Sequence, residues 1–402
     1  MTVKIEKSRA HGRVKAPPSK SMAHRYLICG ALSQESEIKG ISSSKDMEAT
    51  LLCLEALGAT VCVNSDTVKI GGIDFNKKVK SNILNCNESG STLRFLIPIC
   101  LLFGQQITLC GSERLFERSL LVYEQICNAQ GIKFEKKADC VTLNGKLSSG
   151  KYSVQGDISS QFISGLMFAL SQVEGDSEIE IIGNMESASY LALTIKALGK
   201  FGVRISRIDE RTIYIKGGQR CKNRTVTVEG DYSNAAFLDA FNLFGGNVAV
   251  TGLSKNTAQG DSVYKEIFPL LERESPTVDI SDCPDLGPIL MAVAAAKNGA
   301  VFTGTRRLKI KESDRGEAMK AELAKFGCKV TVRENEIKVP AVKLKTPSVK
   351  LFGHNDHRIV MSLSVLASIT GGEILDAGTV SKSFPDFFEK IAALGIDLKV
   401  ET

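Results

Sequence analysis

The sequence predicts a two-domain α/β protein assembled from six repeated units, three to each domain, with helices packed on mixed sheets. Three observations carry that expectation. A chain of 402 residues with 43% apolar residues exceeds what one hydrophobic core serves and can fill two. A helix that stops at glycine and runs into a short hairpin recurs along the chain. Turn-forming residues recur in the same phase at the other end of the helices.

The first period is read in LEALGATVCVNSDTVKIGG, NAQGIKFEKKADCVTLNG, ALGKFGVRISRIDERTIYIKGG, LAKFGCKVTVRENEIKVP and AALGIDLKV. The stop glycines are Gly58, Gly131, Gly202, Gly327 and Gly395, each where a left-handed helix C-cap favours glycine. Their steps of 73, 71, 125 and 68 residues leave room for one hidden unit near Leu270 and Leu271. That unit, IFPLLERESPTVDIS, keeps a helix and a strand but lacks the hairpin. The second period marks helix starts at Ser19, Ser89, Ser159, Asp231, Pro284 and Asn355. Capping residues belong there, because four N–H groups at each start lack partners. Six starts brought together would concentrate positive helix ends into an anion trap.

Chain crossings between the domains are expected at Pro17–Pro18 and around Gly230. Residues 1–18 and 231–402 would then form one discontinuous domain, and residues 19–230 an inserted one.

Composition excludes several function classes. The net charge of +6 arises from 51 basic and 45 acidic residues without a basic run, and Trp is absent. Small anionic substrates suit that balance better than a nucleic-acid backbone. Eleven scattered cysteines without a C-x-x-C pair signal neither a disulfide framework nor a zinc knuckle, and they read as reduced thiols. The longest apolar run, FLIPICLLF, is half of a membrane span, and the first residues lack a secretory signal. A cytoplasmic placement is expected.

The chemistry-bearing residues crowd the helix starts. In PPSKSMAHRYL, Lys20 lies in a first helical turn, with Ser21 and Arg25 one turn apart. A cation beside a positive helix end is unfavourable unless an anion compensates it, which argues for a ligand. No phosphate-binding G-x-x-x-x-G-K-[ST] is present, and no two glycines are separated by one residue, so a dinucleotide fingerprint is excluded. NESGSTLRF offers Gly90, whose missing side chain lets an anion approach backbone N–H groups, followed by Arg94. GSERLFERS supplies Arg114 and Arg118 from an expected loop. Ser159, Ser160 and Gln161 open a third helix as neutral donors, and Ser187 and Tyr190 open another. RLKIKESDR holds Lys311, Glu312 and Arg315, with the two cations expected on one helix face, where they repel unless an acid or ligand intervenes. NDHR holds Asn355, Asp356, His357 and Arg358, and SKSFPDFF presents Lys382 and Ser383. His354 and His357 form an H-x-x-H without a further His or Cys cluster, so no metal site is expected. Asp285 heads an apolar helix, where a carboxylate among cations suits deprotonation of an alcohol.

Taken together and in this order, PSKS, KESDR, NDHR and KSFPDFF resemble the 5-enolpyruvylshikimate-3-phosphate synthase family, over nearly the whole chain. The resemblance implies the enolpyruvyl transferase fold: two domains, each of three βαβαββ-like units, with the active site in the interdomain cleft. It implies enolpyruvyl transfer from phosphoenolpyruvate to the 5-hydroxyl of shikimate 3-phosphate, without cofactor or metal, by a monomer that needs neither nucleic acid nor membrane. Carried over by motif, Lys20 touches both substrates. Ser21, Arg25, Ser159, Ser160, Gln161, Ser187, Tyr190, Asp285 and Lys311 hold shikimate 3-phosphate. Gly90, Arg118, Gln161, Arg315, Arg358 and Lys382 hold phosphoenolpyruvate. Asp285 takes the hydroxyl proton, Glu312 with Lys20 handles the methylene proton, and His357 supports. Three positions depart from the family pattern: Glu88 replaces an amide, Ser91 a threonine, and Arg307 an asparagine found in many members.

Two other readings remain open. UDP-N-acetylglucosamine enolpyruvyl transferases share the chemistry but carry a reactive cysteine on a loop, whereas Cys110 lies just before the Arg114–Arg118 stretch. A repeat protein binding RNA without catalysis would show salt-sensitive nucleic-acid binding.

Overall fold

The computed structural model describes residues 1–401. The chain forms two compact units, Pro18–Glu229 and the pair Met1–Pro17 with Gly230–Thr402.

The Pro18–Glu229 unit contains three four-stranded sheets of one design. In each, a strand pairs in parallel with a second, the second pairs antiparallel with the last strand of a hairpin, and the hairpin's first strand takes the edge. Lys151–Gln155, Ser177–Ile182, Thr212–Ile215 and Ile205–Arg207 give one example in spatial order. Ile83–Asn85, Ile107–Cys110, Cys140–Asn144 and Lys133–Lys136 give the second. In the third sheet the leading strand is Thr225–Thr227, supplied from the far end of the unit beside Glu35–Lys39. The period-two alternation of the hairpins explains their seating: Val68 and Ile70, Val141 and Leu143, and Ile213 and Ile215 all point into the core.

The helices Lys20–Ala31, Gly90–Cys100 and Ser160–Leu170 are buried almost all round. After each hairpin the chain returns and donates an N–H to a carbonyl at the C-terminal end of one of these helices, where intrahelical partners run out. Ile73 bonds Ala31 O at 2.8 Å, Leu147 bonds Leu101 O at 3.0 Å, and Gln219 bonds Ser171 O at 2.8 Å. Gly165 permits a close helix contact, since a Cβ there would lie 2.6 Å from Arg94 O.

The second unit repeats the design with one loss. Thr277–Asp279, Ala300–Thr303, Glu336–Val339 and Thr331–Val332 form a four-stranded sheet, as do Leu351–Phe352, Gly372–Leu375, Thr2–Ile5 and Leu398–Glu401. The remaining sheet has two parallel strands, His11–Lys15 and Asn247–Thr251. The missing hairpin therefore belongs to the unit built on the helices Tyr232–Ala240 and Tyr264–Arg273. Strand Thr277–Asp279, which the sequence assigns to that unit, leads the next sheet instead.

All five stop glycines have positive φ, from 66° at Gly131 to 112° at Gly58. Two local expectations need correction. Arg114 and Arg118 do not lie in a plain loop, because Glu113–Glu117 is a short helix capped by Ser112 and Arg118 follows it in extended backbone. Lys311 and Arg315 do not share a helix face, because Lys311 follows the 3-10 helix Arg306–Ile310 and the α-helix begins at Arg315, capped by Asp314.

Candidate active site

In the Pro18–Glu229 unit the polar residues gather at the N-terminal ends of the three buried helices. Ser89 accepts from Thr92 N and Ser159 from Gln161 N, while the buried Ser19 Oγ has no hydrogen-bond partner among the described residues. Lys20 opens its helix and pairs with Asp46 in the first turn of the helix Lys45–Ala56. The anion that the helix start calls for is thus supplied by the protein itself. Arg94 Nη1 donates to Gln161 Oε1 at 2.8 Å, and Gln161 Nε2 donates to Ser91 Oγ at 3.0 Å. A Cβ on Gly90 would stand 2.9 Å from Arg118 Nη1 and 3.5 Å from Arg94 Nη1. Glycine at this position is therefore what keeps two guanidinium groups beside a bare helix start. Arg118 Nε is buried without a hydrogen-bond partner among the described residues, which leaves a charged donor to be satisfied.

Arg25 has a different surrounding. It is 2% exposed, and it donates from Nε to Thr194 Oγ1 at 2.8 Å, from Nη1 to Ser21 O at 2.7 Å and from Nη2 to Tyr190 O at 3.0 Å. Its guanidinium also lies over the Phe95 ring. Burial pushes it down to about 10. Arg25 thereby ties Ser21 and Tyr190, two of the residues expected to bind substrate, to one another. Ser160 and Ser187 are buried, and Ser187 takes a left-handed conformation (φ 58°) just before the helix Ala188–Lys200, a backbone that non-glycine residues seldom adopt.

In the other unit Asp285 is the centre. Its Oδ1 accepts from Lys311 Nζ at 3.1 Å and Arg315 Nη1 at 2.8 Å, and its Oδ2 accepts from Arg358 Nη2 at 2.9 Å. Arg315, 1% exposed on its side chain, also donates to Glu312 Oε2 at 2.8 Å and Asp356 Oδ2 at 2.9 Å. Asp356 caps the helix His357–Thr370 through Arg358 N. Lys382 Nζ donates to Asn355 O and Oδ1 at 2.6 and 2.8 Å. His357 is buried beside Asp356, and His354 bonds Glu322 Oε1 at 2.8 Å, so the two histidines of the H-x-x-H have separate partners. Among the described residues no cluster of three or more His, Cys, Asp or Glu side chains can hold a metal ion.

Burial and charge act in opposite senses here. Burial disfavours ionisation of Asp285, but Arg358, Lys311 and Arg315 outweigh it and hold the carboxyl well below the usual range. Burial pushes Lys311 down to about 8 despite the attraction of Asp285, with Arg307 adding to the fall. Arg307, the departure from the family pattern, thus sits as a cation beside Lys311. Arg315 loses to burial and gains more from Asp356, Glu312 and Asp285, so its charge is held firmly. Beside this group lies Asp261, which burial and then Asp285 push up to about 7.

Nothing in the sequence pattern singles out Asp46 or Asp261. Asp46 looks like an ordinary first-turn acid after Ser44, and Asp261 like a turn residue in QGDS. Only the fold brings them to Lys20 and Asp285.

The EPSP synthase (3-phosphoshikimate 1-carboxyvinyltransferase) family profile matches residues 5–391. A 3-phosphoshikimate 1-carboxyvinyltransferase of Clostridium acetobutylicum is 39% identical, with 98% of each chain covered. One from Clostridium botulinum is 38% identical over 98% of this chain and 97% of its own length. Among solved structures, EPSP synthase from Acinetobacter baumannii superposes with a TM-score of 0.81 at 22% identity, with all of both chains covered. The enolpyruvyl transferase NikO from Streptomyces tendae gives 0.80 at 12% identity, covering 99% of this chain and 98% of its own. At those identities the two structures speak for the fold. No helix of the described residues is long and apolar enough to cross a membrane.

Proposed function

Because the chain belongs to the EPSP synthase family, we propose that it transfers the enolpyruvyl group of phosphoenolpyruvate to the 5-hydroxyl of shikimate 3-phosphate and releases phosphate. The observation that carries this reading is Asp285: a carboxylate held by Lys311, Arg315 and Arg358, the arrangement expected where an alcohol loses its proton beside anionic substrates.

Protonation of the methylene carbon of phosphoenolpyruvate makes C2 electrophilic, and the 5-hydroxyl oxygen adds there as its proton passes to Asp285. Loss of a methyl proton then restores the double bond as phosphate departs. Glu312, 2.8 Å from Arg315 Nη2, is assigned to the carbon-bound proton, with Lys20 assisting. Gly90, Arg118, Gln161, Arg315, Arg358 and Lys382 are assigned to phosphoenolpyruvate. Ser21, Arg25, Ser159, Ser160, Gln161, Ser187, Tyr190 and Lys311 are assigned to shikimate 3-phosphate. Lys20 serves both substrates, and His357 supports from beside Asp356.

The charge balance suggests how Asp285 becomes basic enough. Held by three cations, it is a weak base. A substrate carboxylate or phosphate that binds Arg315 and Arg358 competes with Asp285 for them, and each cation withdrawn raises the proton affinity of Asp285. Substrate binding would thereby arm the base. The test is phosphate release from phosphoenolpyruvate, assayed with shikimate 3-phosphate and separately with UDP-N-acetylglucosamine. Release with shikimate 3-phosphate alone is expected, and release only with the sugar nucleotide would overturn the assignment.

A further inference from the structure

Several of the eleven free cysteines have a second cysteine as a neighbour. Cys29 lies near Cys221, Cys53 near Cys86, and Cys110 near Cys140, close enough that each first-named thiol and its neighbour influence one another's ionisation. The first four residues are buried, whereas Cys110 and Cys140 are partly exposed.

Cys110 and Cys140 are register partners on the antiparallel strands Ile107–Cys110 and Cys140–Asn144. Their backbone polar groups face away from each other. Cys110 O accepts from Cys86 N on one side, and Cys140 O accepts from Lys137 N on the other. The neighbouring pair, Gly111 N to Asp139 O at 2.9 Å, carries the hydrogen bond between the two strands. Cys110 and Cys140 thus occupy a non-hydrogen-bonded position, where Cα atoms stand about 4.5 Å apart and side chains approach most closely. That separation lies within the range a disulfide accepts, roughly 4.4–6.8 Å.

We propose that Cys110 and Cys140 are a site of reversible disulfide formation that braces the sheet of the Pro18–Glu229 unit under oxidising conditions. The oxidant is a low-molecular-weight disulfide. The Cys110 thiolate attacks it, forms a mixed disulfide and expels one thiol. The Cys140 thiolate then attacks the Cys110 sulfur and expels the second. Two cysteine protons leave on the two thiol products, and the oxidant disulfide is the species reduced. Burial, Cys140 and Asp139 push the Cys110 thiol up, so the first attack is slow and long exposure is needed. The bond closes a loop of 31 residues between strands already in register, which restricts the unfolded chain more than it disturbs the folded one.

The experiment treats the full chain, carrying Cys62→Ser to remove the exposed lone thiol, with oxidised glutathione for several hours. The expected result is a peptide joining Cys110 to Cys140, loss of two hydrogens from the intact mass, a melting temperature higher by roughly 5 °C, retained phosphate release, and full reversal by dithiothreitol. Adding Cys140→Ser should leave a glutathione adduct on Cys110 and no rise in melting temperature. Separate glutathione adducts on both residues, two freely alkylated thiols after treatment, or a crosslink that lowers the melting temperature would each overturn the proposal.

Discussion

In the Pro18–Glu229 unit, Arg94 meets the neutral amide of Gln161, and Arg118 keeps a buried Nε without a partner among the described residues. In the other unit Arg315 is enclosed by Asp285, Glu312 and Asp356, and three cations, Lys311, Arg315 and Arg358, stand against those three carboxylates. The first arrangement presents positive charge that an anion satisfies directly. The second is balanced beforehand, so an anion must displace a carboxylate to bind. Cations that look alike in a sequence therefore form two different devices, a receptor and an exchanger.

The largest test of this contrast is Asp285→Asn. A positioned acid or base contributes ~10²- to 10⁴-fold, so kcat in a phosphate-release assay should fall on that scale while substrate still binds in calorimetry. Near-normal turnover would remove Asp285 from the chemistry and leave it only an ion-pair role. Next in size is Arg118→Ala. A hydrogen bond to a charged group is worth about 1.5–3 kcal/mol, which corresponds to a rise of roughly 10- to 100-fold in KM for phosphoenolpyruvate. An unchanged KM would mean that the receptor half does not bind this substrate.

Gly90→Ala probes the same half more gently. The new Cβ crowds Arg118 Nη1, and a methyl-sized intrusion should raise that KM about tenfold. An unchanged KM would show that the guanidinium swings clear without loss of binding.

The smallest effect is expected from pH at Lys311. Its ammonium is held at about 8, so KM for shikimate 3-phosphate should rise a few-fold as pH passes from 7 to 9, and Lys311→Arg should flatten that rise. Stability runs the other way. Between about 8 and 10.5 the unfolded chain binds more protons at this residue, so its contribution to folding grows with pH in that window. A thermal melt at each pH therefore separates loss of binding from loss of fold.

Most of the architecture was legible because it repeats. Five stop glycines and six helix starts reported the period, and the long step between Gly202 and Gly327 reported the lost hairpin. Residue types at the helix starts also identified most of the cations. What was not legible is which partner each cation meets. Nothing local distinguishes Asp46 from any first-turn acid, and the Lys20–Asp46 pair spans 26 positions. The helix predicted through Lys311 failed because Asp314 caps a helix that starts only at Arg315, and the preceding KIKES carries no breaker to announce it. The motif alone presents Arg25 as a cation beside a helix start, while the aromatic and hydroxyl partners that enclose it lie 70 and 169 residues away.

The strand Thr2–Ile5 lies between Gly372–Leu375 and Leu398–Glu401. It is synthesised well before either strand that flanks it. At roughly 5–20 residues per second, the intervening 370 or so residues take about 20–70 s to synthesise. Through that interval a strand with two open edges, carrying Val3 and Ile5 for a core not yet made, has no partner of its own. The inserted unit, by contrast, owns every strand of its sheets between Pro18 and Glu229 and can complete them while the rest is still being translated. Birth order thus makes one half of this enzyme early and self-sufficient, and the other late and exposed to mispairing.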